Sequence, residues 1–510
     1  MSLRHLIVVT LWACTPLAEA SVVTIDAGQL AGQSLAKVDR FLGVPYAAPP
    51  VGLLRWRAPQ PVRPWDGLRS AQTAGSACAQ IGNYYTSFDE TAFDKPYGSE
   101  DCLYLNVWAP RPLRGGRPVL VFFHGGSGIA GTASYPIYDG ERLAEALDAV
   151  VVTANYRLGV LGSLQSRALH TGQPAEDSGS YFLLDMIAVL DWTRRNCAAF
   201  GCDPDNLTLA GQSAGAVAVL GLLRSPLAKG SFARAISFSG IPFSASAQTG
   251  QQRTAKLLGE LLRQRADDAP SVDDWLTAQP PQAQRDFLLN RSTTELLQAS
   301  GIGLPPAFVA DGHVLMALDE DEADEPAPQV VSEVPLLIGR TDDEMSTLAG
   351  FKNLGASADA RWPLVNGEPR DATIHQTLGL VQRWQRRVRI GLGDWLVGRK
   401  LRQFERAYAA QLPAVYVYRF AWDDYPEPWR SDFGTLHGLD LPFVFGNFID
   451  DQKSYMRFAW TPQNEAARQR LHEEITSSLR HFVHTGQPSP AASDSWPPWG
   501  QHEYVRTWDQ

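Results

Sequence analysis

Short runs of apolar and β-branched residues recur along this chain at Val119 to Phe123, Ala149 to Thr153, Leu207 to Ala210, Ala235 to Phe238, Val334 to Ile338 and Ala414 to Arg419. Each has the length and composition of a strand. Several of the stretches between them change to helical spacing. Asp185 to Asn196 carries Met186, Ile187, Val189, Leu190 and Trp192 around one face before a Gly201-Cys202-Asp203-Pro204 break, which predicts a helix between two strands. Strands that alternate with helices call for a mostly parallel sheet with helices on both faces, an α/β architecture. From Gln251 to Asp268 and from Thr373 to Ala410 the pattern is helical, with Leu and Arg at mixed spacing and no strong strand between. These two stretches are expected to be excursions that cover one end of the sheet. The sequence has no internal repeat, and the acidic, Pro-containing run from Asp319 to Pro328 reads as a surface loop.

The N-terminus follows a different logic. Arg4, the apolar Leu6 to Trp12 and Ala18-Glu19-Ala20 have the order of an export signal with a small-residue cleavage site. The expected division is a signal peptide over residues 1–20 and a single domain over 21–510, exported to the periplasm or the medium. A competing reading takes Leu11-Trp12-Ala13-Cys14 as a lipoprotein signal that anchors the chain through Cys14, a pattern Trp12 fits poorly. The apolar stretch is far short of the ~20 residues that cross a bilayer, so no membrane span is expected. Removing the signal leaves Cys78, Cys102, Cys197 and Cys202, an even set. Four cysteines allow three pairings, of which the sequence-local one joins Cys78 to Cys102 and Cys197 to Cys202. Four reduced, buried thiols are the alternative. Zinc is not expected without a C-x-x-C spacing. With 510 residues, 44% of them hydrophobic and 20% charged, the chain has an ordinary globular balance. Its net charge of −10 offers no basic footprint for a nucleic-acid partner.

Four segments carry candidate chemistry. Gly211-Gln212-Ser213-Ala214-Gly215 follows the Leu207 to Ala210 strand and precedes a helical Ala216 to Leu223. This is the setting of a nucleophile elbow, where small residues let a strained turn lift the serine hydroxyl clear of the sheet. A serine needs a base and a group that orients the base. Among the histidines after Ser213 (His313, His375, His437, His472, His481, His484 and His502), His437 lies in a turn-rich Gly434-Thr435-Leu436-His437-Gly438. His472 to His484 fall on an amphipathic helix, where a solvated face is expected. Glu344 stands just past the Val334 to Ile338 strand, at the carboxyl edge where open α/β sheets bind ligands. Asp342 and Asp343 are immediate rivals that spacing leaves open. His124-Gly125-Gly126-Ser127-Gly128 follows another strand and supplies backbone donors for an oxyanion, each worth roughly 3 kcal/mol in the transition state. His124 itself reads as structural.

Taken together with Phe41 to Ala47, Pro49 to Gly52, Ser99 to Trp108, Asn155 to Gly162, Gly339 to Glu344 and His437 to Gly446, these segments make the chain resemble the type B carboxylesterase and cholinesterase family, in particular its secreted bacterial-type members. The likeness covers nearly all of the mature length. The resemblance implies the α/β-hydrolase fold, with helical insertions over the active site, and a Ser213, Glu344, His437 triad. It also implies oxyanion donors at Gly126, Ser127 and Ala214 and a Cys78 to Cys102 bridge. Arg55 and Glu100 match a structural ion pair of the family, and Ser239 matches a serine kept behind its triad. Departures are Gln212 in place of the usual Glu beside the nucleophile, Ser127 for a third glycine, Met345 where glycine is common, and Asp440 for Glu. Between Cys78 and Cys102 stand Tyr84, Tyr85, Phe88, Phe93 and Tyr97 but no tryptophan, which argues against a cholinesterase. The expected activity is hydrolysis of a small-molecule carboxylic ester through an acyl-enzyme on Ser213, with no cofactor. Lipase, amidase and polyester or cell-wall esterase are alternatives within the enzymes, and a non-catalytic binding homologue is the alternative outside them. Most of the tryptophans are expected to be packing residues.

Overall fold

The computed structural model describes residues 21–84, 86–87, 89–242, 245–266, 268–301, 308–316, 329–348, 362, 366, 378–451, 454–489, 495–500 and 502–509. The apolar runs become neighbouring strands of one ten-stranded sheet. In chain order these are β1 (Gln33–Ser34), β2 (Val38–Pro45), β3 (Tyr104–Pro110), β4 (Arg117–Phe123), β5 (Val150–Ala154), β6 (Cys202–Gln212), β7 (Arg234–Phe238), β8 (Leu336–Thr341), β9 (Val415–Phe420) and β10 (Val505–Trp508). Across the sheet the order is β10-β9-β8-β7-β6-β4-β5-β3-β2-β1. Pairing is parallel from β10 to β5 and antiparallel from β5 to β1. The mostly parallel α/β expectation therefore holds, with an antiparallel edge that the apolar runs did not announce.

Alternation along β4 shows why the runs read as continuously apolar. Val119, Val121 and Phe123 enter one core, while Leu120 and Phe122 enter a second core on the opposite face. A strand buried on both faces has no polar phase to display. The first core takes α1 (Tyr181–Asn196), α2 (Ala214–Leu222) and α3 (Ala247–Arg263), through residues such as Met186, Val217 and Leu257. The second takes α5 (Asp440–Phe445) and α6 (Glu465–Thr485) through Leu441, Leu471 and Phe482. Each fully buried Leu or Phe contributes about 1.5 to 3 kcal/mol of transfer free energy. Between α3 and α5 lies the long α4 (Leu380–Ala409).

Buried polar pairs fix how these layers meet. Arg157, after β5, makes a bidentate pair with Asp185 of α1 at 2.8 and 2.7 Å, and its backbone N–H donates to the same carboxylate. Arg55 and Glu100 pair in the same two-pronged way at 2.7 and 2.6 Å, and Arg55 also donates to the carbonyls of Leu289 and Arg291. The cysteines form two disulfides, Cys78–Cys102 and Cys197–Cys202, which fits an oxidising compartment. Among the described residues no helix is long and apolar enough to cross a membrane.

One expectation fails here. His472 does not lie on a solvated face: it is buried, with Nδ1 2.6 Å from the Phe443 carbonyl, where burial lowers its pKa. The reason is that α6 is sandwiched between the sheet side and α5, so its polar positions also meet protein. The 1–20 signal with Cys14, the Asp319 to Pro328 loop, His375, Tyr85 and Phe88 lie outside the described residues.

Candidate active site

β6 ends at Gln212 and α2 starts at Ala214, leaving Ser213 between them at φ 53° and ψ −122°. A non-glycine residue held there stores on the order of 1 to 3 kcal/mol. The surroundings enforce it: Ser213 N–H donates to the Phe238 carbonyl at 2.9 Å, and Val217 N–H donates to the Ser213 carbonyl at 2.8 Å. The flanking glycines are steric necessities. A Cβ at Gly211 would stand 2.5 Å from the Gly215 backbone, and one at Gly215 would stand 2.2 Å from the Phe123 carbonyl. Ala214, as the first residue of α2, presents an N–H without an intrahelical acceptor.

The loop that leaves β4 closes against this turn. Gly126 and Ser127 both take left-handed backbone, at φ 106° and 56°. A Cβ on Gly125 would approach the Ser213 Cβ to 2.9 Å, so the loop lies directly beside the nucleophile. Gln80 clamps its far end by exchanging two hydrogen bonds with Gly131. His124 is buried, stacks on Tyr156 at 4.6 Å, and has Nδ1 2.8 Å from the Gly125 carbonyl. Burial pushes its pKa down to about 4, leaving a neutral ring suited to packing.

His437 reaches the same place from the loop between β9 and α5. Its Nδ1 hydrogen-bonds the Glu344 Oε2, and Glu344 Oε1 accepts from Thr341 N–H at 2.9 Å. For His437, burial favours the neutral ring, but the Glu344 carboxylate, the hydrogen bond to it and the charge of Asp440 together raise the pKa above 6.5. For Glu344, burial acts upward and is outweighed by His437, so the carboxyl is held below its ordinary range. Ser239 adds electrostatic help to that carboxylate, although its hydroxyl oxygen makes no hydrogen bond of ordinary geometry. The rivals are spent elsewhere. Asp343 accepts from Thr435 N–H at 2.8 Å, and Asp342 faces Arg419 at 3.5 Å. Among the later histidines, His481 and His484 bond to the Ser477 and Leu147 carbonyls, away from Ser213.

Two of the residues singled out as departures, Gln212 and Asp440, make contacts that the sequence did not specify. Gln212 Nε2 stands 3.1 Å from His437 Nε2, the ring nitrogen opposite Glu344. With Nδ1–H donated to Glu344, that nitrogen is an acceptor, so the Gln212 amide donates to it. Among the described residues Ser213 Oγ makes no hydrogen bond to His437, and such bonds are often long before substrate is bound. Asp440, fully buried, accepts from Tyr418 at 3.0 Å and has its pKa raised to about 6 by burial and by Glu344. It lies three residues past His437, where the family resemblance expects Glu. No His, Cys, Asp and Glu cluster among the described residues could hold a metal ion.

Two aromatic residues of the Cys78 to Cys102 loop, Tyr84 and Phe93, are packing elements. Tyr84 and Phe93 are buried against Trp362 and each other at 5.5 to 6.4 Å. Trp56, Trp108, Trp422 and Trp508 are fully buried.

The chain is similar to known proteins over nearly its whole length. The model of the carboxylesterase family matches residues 19–507. The para-nitrobenzyl esterase of Bacillus subtilis is 33% identical over 95% of this chain and 93% of its own length. The fumonisin B1 esterase of Sphingopyxis macrogoltabida is 31% identical over 90% of this chain and 81% of its own. Among solved structures, a Geobacillus stearothermophilus carboxylesterase superposes with a TM-score of 0.72 at 31% identity, covering 95% and 96% of the two chains.

Proposed function

The chain belongs to the carboxylesterase family and is a carboxylic-ester hydrolase, and from that premise we propose that Ser213, His437 and Glu344 carry the chemistry through an acyl-enzyme. Ser213 Oγ adds to the ester carbonyl carbon while His437 Nε2 takes its proton. The oxygen that gains charge accepts hydrogen bonds from the N–H groups of Gly126, Ser127 and Ala214. The imidazolium then gives its proton to the departing alkoxide, leaving an ester on Ser213, and water repeats the cycle to release the acid. Glu344 holds the ring by Nδ1 and stabilises the imidazolium. Gln212 and the Ser213 hydroxyl compete for one lone pair at His437 Nε2, so the productive state requires the amide to give way.

The observation that carries this reading is the convergence of a strained Ser213 with the Glu344–His437 contact at the carboxyl edge of the parallel strands. The substrate is a small-molecule ester. Relatives named for esters as unlike as para-nitrobenzyl and fumonisin B1 share this scaffold, so the bond follows from family while the acyl and alcohol groups depend on the pocket. The two disulfides support export to an oxidising compartment, the periplasm or the medium; with that we read residues 1–20 as the signal and 21–510 as one domain. The test is hydrolysis of p-nitrophenyl esters from acetate to palmitate by wild type and Ser213→Ala, with the acylation burst recorded. We expect a burst in the wild type and loss of activity by about 10⁴-fold or more in the variant. A folded variant that keeps wild-type turnover would overturn the assignment of Ser213.

A further inference from the structure

We infer that α4 is a docking surface for an anionic lipid bilayer. Half of the large apolar side chains that are exposed among the described residues belong to this one helix. Leu380, Trp384, Val388, Leu392, Trp395 and Leu396 recur at three- and four-residue intervals, which places them along one face. Leu380 is 77% exposed, Trp384 66% and Trp395 55%, whereas four other tryptophans of the molecule are fully buried. The opposite face, with Leu401, Phe404 and Tyr408, is the one that packs on the protein. The stripe is about 24 Å long at 1.5 Å per residue, enough to form a continuous apolar contact.

The charges around the stripe select the occupant. The helix carries eight Lys and Arg against two acids, in a chain whose net charge is −10. Its exposed ionised side chains are Arg387, Arg399, Arg402 and Arg406. Its acids face inward: Asp394 accepts from Met345 N–H at 2.9 Å, and Glu405 is buried. Arg399 lies over the Trp395 ring at 5.7 Å, and Arg406 reaches Glu503 at 2.9 Å. Two copies stacked stripe to stripe would bring guanidinium against guanidinium, which costs free energy. An apolar face flanked by arginine, with no exposed carboxylate contributed by the helix itself and Glu503 engaged by Arg406, suits the plane of an anionic bilayer, with the tryptophans at headgroup depth. The helix is not apolar enough to span one. Because α4 packs on Met345 and Ser346, immediately after Glu344, adsorption would hold this edge of the active site about one helix diameter, roughly 10 Å, from the lipid.

The experiment is co-sedimentation of the purified chain with phosphatidylglycerol vesicles and with phosphatidylcholine vesicles, at low and at high salt, alongside sedimentation of the protein alone. Two double variants, Trp384→Ser with Trp395→Ser and Arg387→Glu with Arg399→Glu, are measured beside the wild type. The expected result is partition onto phosphatidylglycerol at least about tenfold above phosphatidylcholine, weakened by salt, and lowered about tenfold in each variant. Hydrolysis of dissolved p-nitrophenyl acetate should stay at the wild-type rate in both variants, which also reports folding. Absence of binding to phosphatidylglycerol, or variants that bind like the wild type, overturns the inference. So does a dimer in solution that the tryptophan variant dissociates without any vesicle binding, which would assign the stripe to a second copy.

Discussion

At His437 burial and two carboxylates act in opposite directions, and the carboxylates win, so the base is protonated more readily than a free imidazole. Since only the neutral ring can accept the serine proton, the acid limb of kcat/KM should have its midpoint above pH 6.5. Asp440 contributes to this shift without touching the reacting atoms. Asp440→Asn keeps the shape and removes a charge, so the acid limb should move to lower pH while the plateau rate changes less. Gln212→Glu acts in the reverse sense: a carboxylate on the far ring nitrogen stabilises the imidazolium and moves the limb to higher pH. Profiles of kcat/KM against pH for the variants and the wild type check both, and a limb that stays in place in both would sink this account of the base. The identity of His437 was legible because a histidine in a glycine-rich turn stands apart from histidines on a helix. The Gln212 contact was not, since nothing in Gly211 to Gly215 says which neighbour that side chain meets.

Among the elements, the elbow and the Gly125 to Gly126 loop are held by close backbone approach rather than by many side-chain contacts. Gly215→Ala would push a methyl to within 2.2 Å of the Phe123 carbonyl, so it should lose folded protein or shift the nucleophile, and in either case lower activity by orders of magnitude. The Arg55–Glu100 pair ties the segment after β2 to the loop before β3 and, through the Leu289 and Arg291 carbonyls, to the helical region beyond α3. Glu100→Gln leaves a buried guanidinium short of its counter-charge and should cost about 3 kcal/mol, read from a urea midpoint, with little effect on kcat in the folded enzyme. An unchanged midpoint would mean that the carbonyls alone satisfy Arg55. The parallel strands were legible because burial on both faces leaves unbroken apolar runs. β2 and β3 were not, because Val38 to Pro45 and Tyr104 to Pro110 interleave polar and glycine residues with apolar ones.

Over the whole molecule, several groups bind protons more tightly when folded. Asp394 and Asp440 are raised to about 6 and Glu405 to about 7, chiefly by burial, and His437 is raised above 6.5. Each supports the folded state fully below its unfolded pKa and ceases to do so as pH rises through its folded one. Glu344 runs the other way, stabilising above its ordinary value of 4.5 and losing that support as pH falls, and the buried His124 and His472, held below 6.5 by burial, likewise lose support as pH falls below 6.5. Above pH 6.5 those two histidines are neutral in both states while Glu405 and His437 still release protons more readily on unfolding, so the thermal midpoint should decline from pH ~6.5 toward pH ~8 while ester hydrolysis rises over the same interval. Parallel melting and activity curves that climb together would contradict it. The sequence by itself determined the alternation that makes a parallel sheet, the small-residue turn that exposes Ser213, and the residue types a hydroxyl nucleophile needs, because backbone sterics and period are local properties. Spacing left Asp342, Asp343 and Glu344 open and the family resemblance favoured Glu344, but only the tertiary structure decided where Asp342 and Asp343 are engaged instead, that Asp440 and Gln212 flank the base, that His472 is buried, and that the apolar face of α4 is uncovered. Those outcomes depend on which groups from distant parts of the chain share a dielectric environment and a few ångströms of space, and no periodicity records that.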